Sequence, residues 1–309
     1  MEQLIIKEML EERLEPGSVA VNEMMSRHTT FRIGGPASVF VTPKSEQELV
    51  AAINVCRSQN APYFILGNGS NLLVSDQGYD GVVVHIGSNM QEISVEGNDI
   101  TAKTGAMLSR VAHTALEHGL TGMEFAAGIP GSLGGACMMN AGAYGGEMSQ
   151  ILVGVRALDA QGQIVELSTE QLDLGYRHSV MMEKQYVVLG ARMHLEKGNP
   201  SEIQAKMEDL KEKRVSKQPL EFPSAGSTFK RPEGAFAGKL IMDAGLRGFR
   251  VGDAMVSEKH CGFVINVGQA TAEDVCKVIS HVQQVVLEKF GRKLEPEIRF
   301  LGFDGKVRA

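Results

Sequence analysis

Apolar residues recur along the chain in short bursts separated by polar turns, and the period of each burst predicts its element. Residues 2–14 show apolar positions at helical spacing and stop at Pro16-Gly17, the pattern of an amphipathic helix with its terminator. In 28–43, HTTFRIGGPASVFVTP, Gly34-Gly35-Pro36 predicts a turn and 37–41 a short strand. Ser45-Glu-Gln-Glu48 has capping-box spacing and opens a helix turning Leu49, Ile53 and Cys56 inward. Strands are predicted at 63–66, 72–74, 82–86, 93–95 and 100–103. Residues 108, 111, 112, 115 and 116 are apolar and form one helical face, which Gly119 closes. Further strands are predicted at 153–159, 164–168 and 186–191.

Ser201-Glu-Ile-Gln204 is a second capping box, starting a charged helix to about residue 217. Three prolines in 218–232 (Pro219, Pro223, Pro232) break it and predict a domain boundary. Beyond lie a short helix at 237–243 ended by Gly245, a strand at 263–266 and a helix at 272–290 between Thr271 and Gly291. An alternating tail at 294–302 reads as a closing strand. Mixed strands with few crossover helices predict an α+β fold rather than a doubly wound sheet.

One stretch fits none of these periods. Residues 128–146, GIPGSLGGACMMNAGAYGG, hold seven glycines in nineteen positions and no charge. Glycine lets backbone lie directly against a ligand but loses the most conformational entropy on folding. Disordered linkers are rich in Ser, Pro and charge, whereas this stretch keeps Ile129, Leu133, Met138, Met139 and Tyr144. A tight core crossing accounts for one or two of the glycines. A wrap around a large flat ligand accounts for the rest.

The turn Gly67-Asn-Gly-Ser-Asn71 invites a dinucleotide-fold reading. That fingerprint requires a third glycine at 72 and a helix starting there; position 72 is Leu and an apolar strand follows. The alternative is a strand–turn–strand whose amides, with Ser70 and Asn71, cradle a pyrophosphate. Ordinary hairpin loops use the same residues.

Composition narrows the function classes. At 309 residues, 43% hydrophobic and 22% charged, the chain is long enough for two or three domains and is ordinary for a soluble protein. No apolar run approaches a membrane span, and residues 1–18 are acidic and helical rather than basic then apolar. A cytoplasmic location without membrane association is expected. Cys56, Cys137, Cys261 and Cys276 are scattered and the eight histidines show no ligand spacing, so neither disulfides nor a metal site is expected. Net charge −6 argues against nucleic-acid binding. Residues 205–250 nevertheless hold ten Lys/Arg against six Asp/Glu, a local excess suited to a small anionic substrate.

The motifs HTTFRIGGPA (28–37), GNGSN (67–71), GIPGSLGGACMMNAGAYGGE (128–147), YRHS (176–179), AGSTFKRP (225–232), SEKHCGFVIN (257–266) and LEPEIRF (294–300) together resemble the UDP-N-acetylenolpyruvoylglucosamine reductase (MurB) family, in that family's order across nearly the whole chain. The resemblance implies an FAD-binding domain of the vanillyl-alcohol-oxidase/PCMH type in two α+β subdomains (1–88 and 89–217), a substrate-binding domain (218–292) and a closing strand (293–309). Residues 191–201 leave no room for the inserted element and Tyr loop of the family's type I branch, so the chain resembles type II. Cys261-Gly262 stands where relatives commonly have Ala-Asn.

The implied reaction reduces UDP-N-acetylglucosamine enolpyruvate to UDP-N-acetylmuramate in peptidoglycan precursor synthesis. NADPH is the hydride donor and non-covalent FAD the carrier, passing hydride from flavin N5 to the alkene. By resemblance, Arg177 and Glu297 stabilise the enolate and Ser227 donates the proton. Gly67, Asn68, Gly69, Ser70, Asn71, Gly128, Ile129, Gly131, Ser132, Gly134 and Gly135 would hold FAD. Tyr176, Arg214, Lys217, Lys230 and Arg231 would meet the UDP-sugar, by family pattern and local charge. Read alone, Arg177 is a surface arginine, Ser227 a turn residue and Glu297 a surface carboxylate. A same-fold oxidase and a non-catalytic nucleotide sensor are the rival classes; the Arg–Ser–Glu set argues against both. A monomer or weak homo-oligomer is expected.

Overall fold

Five antiparallel strands build the larger sheet of the computed structural model, which describes residues 2–303 and 306–308. Residues 304, 305 and 309 of the expected closing segment lie outside the described residues. The chain divides into two compact units: 1–19, 41–68 and 84–214 form the first, and 20–40, 69–83 and 215–309 the second.

In the first unit the five strands lie in the spatial order Ile164–Ser168, Leu152–Leu158, Val187–His194, Asp99–Lys103, Ile93–Glu96. Every pair is antiparallel, which short connections permit. The helices Leu108–Glu117 and Leu133–Met138 cover the core, burying Leu108, Val111, Ala112, Leu133 and Cys137 with Ile100, Val155 and Met193. Burial pushes the Cys137 thiol up to about 12 and Cys56 likewise to about 12, so both are packing residues and not nucleophiles.

In the second unit Val19–Met24, Pro36–Val41 and Tyr79–His85 are neighbours in that order. A meander of Arg250–Val251, Ala254–Val256 and Val264–Asn266 supports the helix Ala272–Phe290. That helix begins at Thr271, whose hydroxyl accepts from Asp274 N at 3.0 Å while Asp274 reaches back to Thr271 N at 3.1 Å. It ends at Gly291 with φ 62°. Its stripe of Val275, Val278, Ile279, Val282 and Val286 is buried with Phe31, Leu73, Phe229 and Ile298. The strand Arg299–Phe303 runs parallel to Leu72–Val74, with Arg299 opposite Leu72.

The architecture is α+β. The helix predicted from Ser201 in fact starts at Pro200. Asn199 is the cap, its Oδ1 accepting from Ser201 N at 3.0 Å, and proline suits the first helical position because its missing N–H has no partner there anyway. Several elements were not expected from sequence, the short strands Arg250–Val251 and Ala254–Val256 among them, and two show why. Val19–Met24 is a strand with mostly exposed side chains, so no apolar alternation marks it. Leu133–Met138 is a helix inside the glycine stretch, where Gly134 and Gly135 each lower intrinsic helix stability by about 1 kcal/mol. Burial of Leu133, Ala136 and Cys137 overrides that penalty.

Candidate active site

In the first unit the two glycine-rich loops predicted to hold the cofactor meet. Asn68 Nδ2 donates to Pro130 O at 2.7 Å. A Cβ on Gly67 would stand 2.6 Å from Ser132 Oγ, so only glycine allows that approach. Ser132 caps the helix Leu133–Met138. Gly128, Pro130 and Gly135 are exposed and Ile129 and Gly131 partly so, leaving an open strip of backbone along one edge of the wrap.

Not all the glycines serve that strip. A Cβ on Gly134 would lie 2.1 Å from Thr104 Oγ1, one on Gly142 would lie 2.7 Å from Glu147 Cβ, and one on Gly146 would enter the Phe125 ring at 2.5 Å. Three glycines are therefore fixed by internal packing, more than the one or two the sequence suggested. The wrap is a packed element with one exposed edge.

Glu124 anchors the start of the wrap. It is 3% exposed; its carboxylate accepts from Thr121 Oγ1 at 2.6 Å and Gly122 N at 3.1 Å, with Lys206 Nζ at 3.4 Å. Burial alone would raise its pKa, but these hydrogen bonds and Lys206 hold it below the usual 4.5. Glu124→Ala strands the Thr121 and Gly122 donors and should cost about 1–3 kcal/mol in urea unfolding at pH 7. Because the folded-state pKa is depressed, this contribution is present above 4.5 and fades as pH falls through the folded value. The wild type–variant difference should shrink on acidification.

Arg214, expected at the substrate, lies on the wrap: its Cδ would be 3.1 Å from a Cβ on Gly128, and burial lowers its pKa. Arg177 occupies a left-handed conformation, φ 54°, with Nη2 3.5 Å from Gly142 O. Its guanidinium lies 5.2 Å from the centroid of Tyr176, which is 53% exposed and so not a core tyrosine. Nearby, Asp173, His178 and Glu183 place ligand atoms within 4.8 Å of one another. His178 and Asp173 are 3.4 Å apart, an ion pair when the imidazole is protonated.

In the second unit the backbone ties the segment bearing Ser227 to the segment bearing Glu297. Gly226, φ 77°, turns the chain so that Ser227 is exposed between buried Ala225 and Thr228. Glu297 N donates to Thr228 O and Lys230 N to Glu295 O, each at 2.8 Å. Phe229 and Pro296 form an antiparallel bridge. The same segment is tied to the second half of the GNGSN loop: Asn71 Nδ2 donates to Glu297 O at 3.2 Å, and Arg299 N to Asn71 O at 3.0 Å.

The HTTFRIGG motif, to which sequence gave no role, completes this knot. Thr30 N donates to Gly69 O at 3.1 Å and Thr30 Oγ1 to Ser224 O at 2.7 Å. Gly69, φ 61°, would put a Cβ 2.1 Å from His28 O. Of the remaining predicted residues, Lys217 is exposed and Lys230 Nζ stands 3.7 Å from Glu295. Arg231 lies 4.1 Å over the exposed ring of Phe236.

A test of fit for an anionic dinucleotide rests on Arg299. Its Nε is buried without a hydrogen-bond partner among the described residues, and burial lowers its pKa. A desolvated guanidinium is costly unless an anion completes it. Within the first unit, the open backbone edge of the glycine wrap fits the close approach of a flat cofactor such as FAD.

Comparison with known proteins agrees with this chemistry. Residues 37–168 match a family model described as an FAD binding domain, and residues 218–301 match the C-terminal domain of UDP-N-acetylenolpyruvoylglucosamine reductase. The enzyme of that name from Clostridium perfringens is 54% identical over 93% of this chain and 94% of its own length. The one from Caldanaerobacter subterraneus is 53% identical over 96% and 98%. The chain belongs to the UDP-N-acetylenolpyruvoylglucosamine reductase family. The crystal structure of the Thermus caldophilus member, MurB, superposes with a TM-score of 0.80 at 36% identity, covering 92% of this chain and 98% of that one.

Among the described residues no helix is long and apolar enough to cross a membrane. One residue that sequence reasoning passed over stands out within the wrap. Asn140 is 1% exposed with φ 41°, and its only sequence signal is an uncharged amide in a stretch of Gly, Ala and Met.

Proposed function

We propose that this chain reduces UDP-N-acetylglucosamine enolpyruvate to UDP-N-acetylmuramate, with FAD as bound cofactor and NADPH as donor, in cytoplasmic synthesis of peptidoglycan precursors. The observation that supports it best is the 2.8 Å bond from Glu297 N to Thr228 O, which ties the segment bearing Ser227 to the segment bearing Glu297 inside the region matching the reductase C-terminal domain. FAD, when bound, supplies hydride transfer from NADPH to the terminal alkene carbon.

The chain's own residues manage the charge and the proton. Hydride addition leaves negative charge on the neighbouring carbon, delocalised into the substrate carboxylate. Arg177 receives that carboxylate, its planar fork donating two parallel hydrogen bonds. Ser227 gives its hydroxyl proton to the carbanionic carbon, and Glu297 steadies the enolate. Gly67 to Asn71 and the exposed edge from Gly128 to Gly135 hold the cofactor, with Arg214 lying on that edge. Arg214, Lys217, Lys230 and Arg231 take the UDP diphosphate, and exposed Tyr176 meets the nucleotide. Incubation with NADPH and the enolpyruvyl UDP-sugar should yield a product two hydrogens heavier by mass spectrometry. Unchanged UDP-sugar alongside a flavin that NADPH does reduce would exclude this substrate.

A further inference from the structure

The turn bearing Arg177 is tied to the glycine wrap on both flanks. Gly175 N donates to His178 O and His178 N to Gly175 O, each at 3.2 Å, closing a tight loop with Tyr176 and Arg177 at its tip. Before Arg177, Asn140 Nδ2 donates to Gly175 O at 3.0 Å. After it, Ser179 Oγ donates to Met138 O at 2.7 Å, and Ser179 is wholly buried.

Asn140 makes two further bonds. Its second amide hydrogen goes to Glu147 Oε1 at 3.2 Å, and its Oδ1 accepts from Ser149 N at 2.8 Å. The orientation of the carboxamide is fixed by these partners, since the Ser149 amide can only donate and the Gly175 carbonyl can only accept. A left-handed backbone at Asn140 is one that asparagine tolerates and most residues do not. The side chain thus joins three segments, 140–142, 147–149 and the turn at 175. No ligand is needed to explain any of its bonds.

We propose that Asn140 is a positioning residue for Arg177. Its carboxamide holds the Gly175–His178 turn at a fixed offset from Gly142, whose carbonyl lies 3.5 Å from Arg177 Nη2, and it acts through Arg177 without touching substrate. The proposal rests on the reading of Arg177 as the carboxylate ligand. Displacement of a reacting group by about 1 Å can cost on the order of 10²-fold in rate, so a released turn should be visible in catalysis before it is visible in folding.

The test uses Asn140→Asp in the flavin-loaded enzyme. Aspartate keeps the size, the left-handed tolerance and the acceptor for Ser149 N, but sets an oxygen against Gly175 O and the Glu147 carboxylate. Anaerobic reoxidation of NADPH-bleached flavin by the enolpyruvyl UDP-sugar should slow roughly 10–100-fold, with flavin content and bleaching by NADPH unchanged. In an Arg177→Gln background the same change should slow nothing further, because the two act as one unit. Ser179→Ala, which removes the other tie, should show the same selective slowing; it carries the test if Asn140→Asp does not fold.

Equal slowing of both half-reactions, or full additivity with Arg177→Gln, overturns the proposal and leaves Asn140 as a fold residue only. Arg177→Gln slowing reoxidation while neither tie variant does so overturns the latch and spares the reading of Arg177. An Arg177→Gln enzyme that reoxidises normally removes both.

Discussion

Ser227→Ala should leave bleaching of the flavin by NADPH intact while slowing reoxidation by the enolpyruvyl substrate by roughly 10²–10⁴-fold, the range for a lost general acid. Stopped-flow absorbance of the two half-reactions measures both. The selectivity follows from the backbone. Ser227 is exposed after the left-handed Gly226, and the segment is held by bonds its side chain does not make. Thr228 N donates to Gly262 O at 2.8 Å, and Thr228 Oγ1 accepts from Val264 N at 2.9 Å. Removing one exposed hydroxyl therefore leaves the backbone bonds between 228–230 and 295–297 in place. Loss of both half-reactions together would mean that Ser227 is structural.

Arg177→Lys should slow the same oxidative half-reaction by roughly 10²–10³-fold, the scale for losing one oriented donor at a developing oxyanion. Charge is retained, but lysine cannot present two parallel N–H groups to a carboxylate. It also loses stacking on Tyr176, whose ring lies 5.2 Å from the guanidinium. Bleaching by NADPH is again the internal control. A lysine enzyme with unaltered reoxidation would show that charge suffices and that the fork geometry has no role.

What sequence revealed and what it hid divide along physical lines. Elements with a strong period and their own terminators were legible: Ala272–Phe290 begins at Thr271 and stops at Gly291 as the pattern predicts, and the Leu72–Val74 strand that ruled out a dinucleotide fingerprint is present. Elements whose stability comes from tertiary packing were not. The Leu133–Met138 helix violates local propensity twice and is held by burial of Leu133, Ala136 and Cys137, with Gly134 required by the close approach of Thr104.

The site shows the same division. The GNGSN and GIPGSLGG loops could be singled out by composition, but that Asn68 bonds Pro130 lies in no local pattern. Ser227 and Glu297 are seventy residues apart, and only the family resemblance linked them before the Thr228–Glu297 bond was seen. Asn140 was invisible for a different reason. A buried amide gives no periodic signal, and its worth lies in three partners distributed over 147, 149 and 175.

The most direct test of the proposed function is the visible spectrum of the purified protein under nitrogen, recorded on adding NADPH and then the enolpyruvyl UDP-sugar. The expected protein is yellow, bleaches with the first addition and recolours with the second in a one-to-one titration. Recolouring only when air is admitted would leave the flavin-binding reading standing and refute the substrate. A colourless protein that cannot be reconstituted with FAD would refute the reading of the glycine wrap itself.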